Sequence, residues 1–235
     1  MKKGVLVCFT GIDGAGKTSL AKAVVDDLKG QGYDADYLYL RYSPLLLRPV
    51  IALSGRTLLR KQDFSRNYSD YSRVKHGFAH EHSLLSSLYQ VALLSDYLLQ
   101  VLVKLYVPLR RGRNIICDRY VFDTVATDLS VDFGLSGPQM LAYLRGLFKV
   151  FPRPDLCFFV DIPEEEAFRR KSDIPSVEYL RDRKWAYQLI SRSEDMVVLD
   201  GLEPLEVLRA EAGRTIQGRK GLQLSAGRRD IRASK

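Results

Sequence analysis

A chain of 235 residues with 46% hydrophobic and 27% charged side chains is the size and make-up of one globular α/β domain with a real core. Its net charge of +8 is not spread evenly: the stretch 214–235 holds seven basic residues and one acidic residue, so the tail carries +6 and the body is close to neutral. A near-neutral body excludes a basic nucleic-acid groove, and any contact with RNA or an anionic surface falls to that tail.

Residues 5–9 (Val-Leu-Val-Cys-Phe) form a continuous apolar run and predict a buried first strand. The octet Gly11-Ile12-Asp13-Gly14-Ala15-Gly16-Lys17-Thr18 follows and matches G-x-x-x-x-G-K-[ST] at every fixed position. Ser19 then leads into a helical pattern that ends near Lys29, where Gly30 and Gly32 stop it. Strand, glycine turn and helix aim several backbone N–H groups and a helix N-terminus at one anion. Residues 37–40 predict a second strand, and residues 42–83 are an irregular segment rich in Arg, Tyr and Ser. A long helix is expected over 84–110, with a kink at Pro108. This is the most apolar stretch, yet Asp96 and Lys104 in its middle favour a buried helix over a membrane span. Strands at 114–118, 156–161 and 196–199 alternate with helices at 137–151, 164–170, 178–192 and 204–216. Such alternation gives a five-stranded parallel sheet with helices on both faces, an α/β three-layer fold. We place one domain at 1–216, with 42–83 as an insertion or acceptor-side segment, a lid region at about 163–185, and a disordered basic tail at 217–235.

Cys8, Cys117 and Cys157 all fall inside predicted strands and read as small buried hydrophobes in a reducing, cytoplasmic setting. The chain enters a strand within a few residues of Met1, so no signal peptide is expected. His76, His80 and His82 have spacing that a zinc ion can use, but no Cys lies near them, and three histidines in a polar segment need no metal.

Ligands of such folds sit beyond the carboxyl ends of the strands. The first strand ends in the glycine loop, where Lys17 can reach β- and γ-phosphates and the Thr18 hydroxyl can ligate Mg²⁺. The third ends in Asp118-Arg119-Tyr120. Asp118 can hold Mg²⁺ opposite Thr18, and Arg119 can stabilise charge on a transferring phosphoryl group. Arg41 leaves the second strand toward the same crevice, and its planar fork suits an acceptor phosphate. A monophosphate acceptor brings its own anionic oxygen and needs no general base, whereas a hydroxyl acceptor usually needs a carboxylate. No acid sits beside Arg41, which favours a phosphorylated acceptor.

The chain resembles the thymidylate kinases, within the P-loop nucleoside monophosphate kinases. The likeness is carried by residues 11–19, by Leu40-Arg41-Tyr42-Ser43-Pro44, by Asp118-Arg119-Tyr120, by Pro154-Asp155-Leu156, by Val160-Asp161-Ile162-Pro163-Glu164, by Arg170 and by Val197-Val198-Leu199-Asp200. It implies ATP with Mg²⁺, transfer of phosphate to dTMP, a mobile lid and a homodimer built on helices. It also implies that Asp13 approaches the acceptor sugar's 3′ hydroxyl, that Arg41 and Arg119 grip the acceptor phosphate, and that Arg169 and Arg170 close over ATP beside Gly11, Gly14, Ala15 and Gly16. Two departures lie on the acceptor side. Residues 93–98 lack the arginine that reads the thymine edge, and Asp123 stands after D-R-Y where the family usually has Ser. The acceptor can therefore be another nucleotide or phosphorylated metabolite. Tyr42, Arg48, Tyr68, Tyr71 and Arg73 either line such a pocket or pack a surface flap.

Other classes fit less well. Leu135-Ser136-Gly137-Pro138-Gln139 looks like an ABC-type signature, but Ile162 stands where that class needs Glu, and no His follows His82. No N-K-x-D motif supports a GTPase. A nucleotide-binding regulator and a deoxynucleoside kinase remain as alternatives.

Overall fold

A computed structural model of the chain describes residues 3–41, 95–130, 134–219 and 222–226. Five strands, β1 (Leu6–Thr10), β2 (Ala35–Tyr39), β3 (Asn114–Asp118), β4 (Leu156–Asp161) and β5 (Val197–Asp200), pair entirely in parallel in the order β2-β3-β1-β4-β5. The α/β three-layer fold expected from the strand–helix alternation is the one observed.

Burial follows position in the sheet. Every residue of the central strands β1 and β3 is buried, as their unbroken apolar runs require of strands covered on both faces. Phe9 and Phe158 stack across β1 and β4 with ring centroids 4.9 Å apart. β2, an edge strand, starts at Ala35 instead of at Tyr37. Its register is set by pairing with β3, Ala35 against Asn114 through Tyr39 against Asp118, and not by its own apolar pattern.

The helices are α1 (Lys17–Gly30), α2 (95–110), α3 (121–130), α4 (Gly137–Leu147), α5 (Glu164–Arg170), α6 (Val177–Ser193) and α7 (Leu205–Gly218). Pro108 does not stop α2. Instead the preceding turns, Leu102–Tyr106, widen to π-type, with the Val107 N–H reaching the Leu102 carbonyl. Widening accommodates a ring that would otherwise crowd the carbonyl four residues back. Leu99, Leu102, Val103 and Tyr106 form an exposed apolar stripe at i, i+3, i+4 and i+7 along this helix. α3 was not legible in the sequence: its Val121–Asp123 start is short and its Thr124–Leu129 turns are again π-type.

The ABC-like run becomes a helix start. The Ser136 N–H bonds to Gln139 Oε1 at 2.9 Å, Pro138 sits in the first turn, and Gly137 lies under Leu189 and Trp185 of α6. Residues 222–226 are anchored, although their composition reads as tail. The Ser225 carbonyl accepts from Asn114 Nδ2 at 3.0 Å and from the Asp34 N–H at 3.1 Å, and Ala226 bridges Tyr33. The segment 42–83, the three histidines, residues 84–94 of the expected long helix and the tail beyond 226 lie outside the described residues. Among the described residues, no helix is long and apolar enough to cross a membrane.

Candidate active site

The crevice is built at the carboxyl ends of β1, β3 and β2, which are neighbours in that order. The glycine loop leaves β1 with Gly11 at φ +142° and Gly14 at φ +87°. A Cβ on Gly11 would stand 2.5 Å from the Val160 carbonyl oxygen, and one on Gly14 would stand 2.3 Å from that of Ala167. Both positions therefore demand glycine on conformational and on steric grounds. The Gly14 contact also seats α5 directly against the loop. Ala15 is buried, with its N–H on the Ile12 carbonyl at 3.3 Å, and the Gly16 carbonyl accepts from the Leu20 N–H at 3.1 Å to start α1. Ser19 is exposed in the first turn.

Lys17 is buried beneath the loop and donates to the Ile12 carbonyl at 2.6 Å. Burial, and next the Arg119 charge, push its ammonium down to about 8, although Asp123, Asp13 and Asp118 pull the other way. Thr18 Oγ1 donates to Asp118 Oδ2 at 2.5 Å, and the Tyr37 hydroxyl donates to the same oxygen at 2.9 Å. Burial and the Asp118 charge push the Tyr37 phenol up, so it stays a donor. Asp118 Oδ1 is buried with no hydrogen-bond partner. An orphaned carboxylate oxygen next to a threonine hydroxyl fits a divalent cation that takes its other ligands from water and phosphate.

Arg119 follows with φ +66°, and its N–H bonds to the Phe9 carbonyl at 3.1 Å, which locks the backbone to β1. One terminal nitrogen, Nη2, is paired with Asp13. The other, Nη1, lies 3.7 Å from Asp123 Oδ1 and makes no hydrogen bond. Burial pushes the guanidinium down, but Asp123, Tyr187 and Asp13 more than restore it, so it stays charged. Burial pushes the Asp13 carboxyl up, yet Arg119 first and Lys17 next pull it below the ordinary carboxylate value, with Lys171 adding to the pull.

Lys17, Thr18, Asp118, Arg119 and Asp13 thus meet in one place. Arg41 comes close by register: the Leu40 N–H bonds to the Asp118 carbonyl at 3.2 Å, so Arg41 leaves the sheet beside Arg119. Arg169 and Arg170 have partners elsewhere. Both pair with Glu166, and Arg170 Nη1 also donates to the Gly201 carbonyl at 2.9 Å. The residue just past α5 whose charge reaches Asp13 is Lys171, which carried no signal in the sequence. Asp161, at the end of β4, pairs with Lys184 of α6 at 3.3 Å. Tyr97, in the stretch 93–98, is buried, with its hydroxyl on the Leu40 carbonyl at 3.2 Å.

Tyr37, Thr10, Asp123 and Tyr187 were also missed. Asp123 alone carried a signal, as the departure after D-R-Y. Its carboxyl is fully buried and pushed up by burial, which Arg119 and Lys17 oppose.

A glycine loop over a buried lysine, a strand-end aspartate on the loop's threonine and an all-parallel sheet together define a P-loop NTPase-like protein. No family model matches the chain. It is 29% identical over 168 residues to a probable thymidylate kinase of Pyrococcus abyssi, covering 72% of this chain and 70% of that one. It is 26% identical over 233 residues to a probable thymidylate kinase of Metallosphaera sedula, 94% of this chain and 97% of that one. A thymidylate kinase of Gluconobacter oxydans is 25% identical over 217 residues, with 91% and 89% covered. At 25–29% identity over most of its length, the chain is similar to thymidylate kinases, which supports a thymidylate kinase-like phosphotransferase.

Proposed function

We propose that this protein transfers the γ-phosphoryl group of ATP to a phosphate oxygen of a nucleoside monophosphate, with dTMP as the acceptor. The observation that carries this reading is the meeting of Lys17, Thr18, Asp118 and Arg119 in one crevice beside the strand end that delivers Arg41. The acceptor's phosphate oxygen attacks Pγ, the bond from Pγ to the bridging oxygen breaks, and ADP leaves with the electron pair. No proton need move. Catalysis is positioning plus charge neutralisation. Lys17 neutralises the β- and γ-phosphates, Arg119 the equatorial oxygens, and Arg41 holds the acceptor phosphate. Arg169 and Arg170 would have to exchange Glu166 for ATP as α5 closes. Asp118 and Thr18 would hold Mg²⁺, which would supply charge neutralisation at the phosphates. The homodimer implied by the resemblance would use the apolar stripe of α2.

Asp13 bears on the deoxynucleoside alternative. A carboxylate held low by Arg119 and Lys17 is a poor proton acceptor, which suits a phosphate nucleophile better than a hydroxyl. ADP release screened across nucleoside monophosphates, nucleosides and sugar phosphates tests this, with dTMP expected to lead. Turnover on nucleosides but on no monophosphate would sink the reading. Arg41→Ala should then raise the acceptor KM about 10- to 100-fold with the ATP KM little changed, the loss expected for charge-assisted hydrogen bonds.

The Lys17 shift makes a prediction about pH. In the empty crevice the ammonium loses its proton near pH 8, whereas a bound β-phosphate restores its ordinary range. The bound state has the higher pKa, so binding above that pH takes up a proton and affinity is lost as pH rises. ADP affinity measured by calorimetry should fall about tenfold per unit above pH 8. Lys17→Met should show no such slope, and a flat wild-type profile between pH 8 and 9.5 would remove Lys17 from the phosphate site.

A further inference from the structure

Asp123 has no part in the steps above, yet it is fully enclosed at the back of the crevice. Its Oδ2 accepts from Thr10 Oγ1 at 3.0 Å and from the Tyr120 N–H at 3.1 Å. Its Oδ1 accepts from the Tyr187 hydroxyl at 2.7 Å. These donors come from the end of β1, the turn into α3, and α6. Capping α3 needs only the Tyr120 contact, which a neutral side chain can serve. Enclosing a carboxylate so completely is costly, and a structural role alone gives no reason to prefer it over Ser or Asn.

Its relation to Arg119 supplies that reason. At 3.7 Å, Asp123 Oδ1 is too far from Nη1 to accept its hydrogen but close enough to attract its charge. The guanidinium is therefore held at two points: by Asp13 on Nη2 and by the field of Asp123 beside Nη1. The Nη1 donors remain unused and buried, the condition in which a donor stabilises charge arriving on a phosphoryl oxygen most strongly.

We propose that Asp123 is a positioning residue for the phosphoryl transfer, holding the Arg119 guanidinium in the crevice without consuming its Nη1 donors and tying it through Tyr187 to α6. This deepens the proposed function and rests on Arg119 acting at the transferring group. Asp123 works through Arg119, so its contribution should vanish when Arg119 is gone.

A double-mutant cycle on the full chain reads this directly, with single-turnover ADP formation as the rate. Asp123→Asn keeps the volume and should lower the rate about 10- to 100-fold, with the ATP KM within about twofold, as losing a residue that orients a catalytic group does. In the Arg119→Ala background the same change should cost less than about twofold. Equal losses in both backgrounds would assign Asp123 a structural role and overturn the inference, as would a rate for Asp123→Asn equal to wild type. If Asp123→Asn fails to fold, Tyr187→Phe serves instead. It keeps the ring beside Phe159 and removes one hydrogen bond to Oδ1. A drop of about three- to tenfold, absent in the Arg119→Ala background, is expected, and additive losses again overturn the proposal. Were Arg119→Ala itself harmless, the reading of Arg119 would fall first and this inference with it. A crippled Arg119→Ala with additive partners removes the inference alone.

Discussion

Lys17→Ala should abolish turnover, with kcat falling at least about 10³-fold. The lysine is 4% exposed and donates to the Ile12 carbonyl, so its charge is already dehydrated before a phosphate arrives. Electrostatic attraction is strongest in such a place, because no water has to be displaced when the γ-phosphoryl group develops charge. The substitution removes that attraction and leaves Asp13, Asp118 and Asp123 facing incoming phosphates with one buried cation fewer to offset them. Nucleotide affinity should fall with kcat. Lys17→Met, which keeps the volume of the stem, separates loss of charge from loss of packing. Both variants should show native circular dichroism with no ADP release above background. Turnover within tenfold of wild type for the Met variant would mean that phosphates do not bind over this loop.

Arg119→Ala should lower kcat about 10³- to 10⁵-fold, the range observed when a transferring phosphoryl group loses its arginine. The expectation is specific to kcat, because the unused Nη1 donors are available to charge that appears during transfer and are not needed to hold ATP. Arg119→Lys should recover only a small part of the rate. A lysine offers one ammonium and cannot reach Asp13 while presenting a second nitrogen beside Asp123. Removing the guanidinium also leaves the buried Asp123 without its nearest cation, so some loss of melting temperature should accompany the loss of rate. Steady-state kinetics with saturating acceptor checks this. A near-normal kcat for Arg119→Ala would show that the role assigned to it is wrong.

The parts of this site that could be read in advance share one property: their partners are close in sequence or fixed by backbone geometry. Gly11 and Gly14 are legible because positive φ and close carbonyl contacts leave no other residue. Asp118 is legible because an acid ending an apolar run, Ile115-Ile116-Cys117, can only sit at the tip of a buried strand. The residues that escaped are long-range partners. Tyr37 meets Asp118 because β2 pairs with β3 in one register, and a slip of one residue would turn the phenol to the other face. Tyr187 meets Asp123 across 64 positions, and nothing in its own surroundings within α6 distinguishes it from a packing tyrosine. Arg169 and Arg170 were expected over ATP, but a glutamate one turn back, Glu166, captures both in the structure described here.

Chemical class, then, was written in the linear order of residues: eight consecutive positions set a phosphate cradle, and alternating apolar runs set a parallel sheet to carry it. Strand order, and with it the arrival of Arg119, Asp13 and Asp123 within one cluster, came from packing β3 beside β1 and α6 against α3. Short-range sterics depend on neighbours along the chain and so show in its letters. The charge on a buried guanidinium depends on whatever the fold brings within a few ångströms, and that is a property of the folded protein.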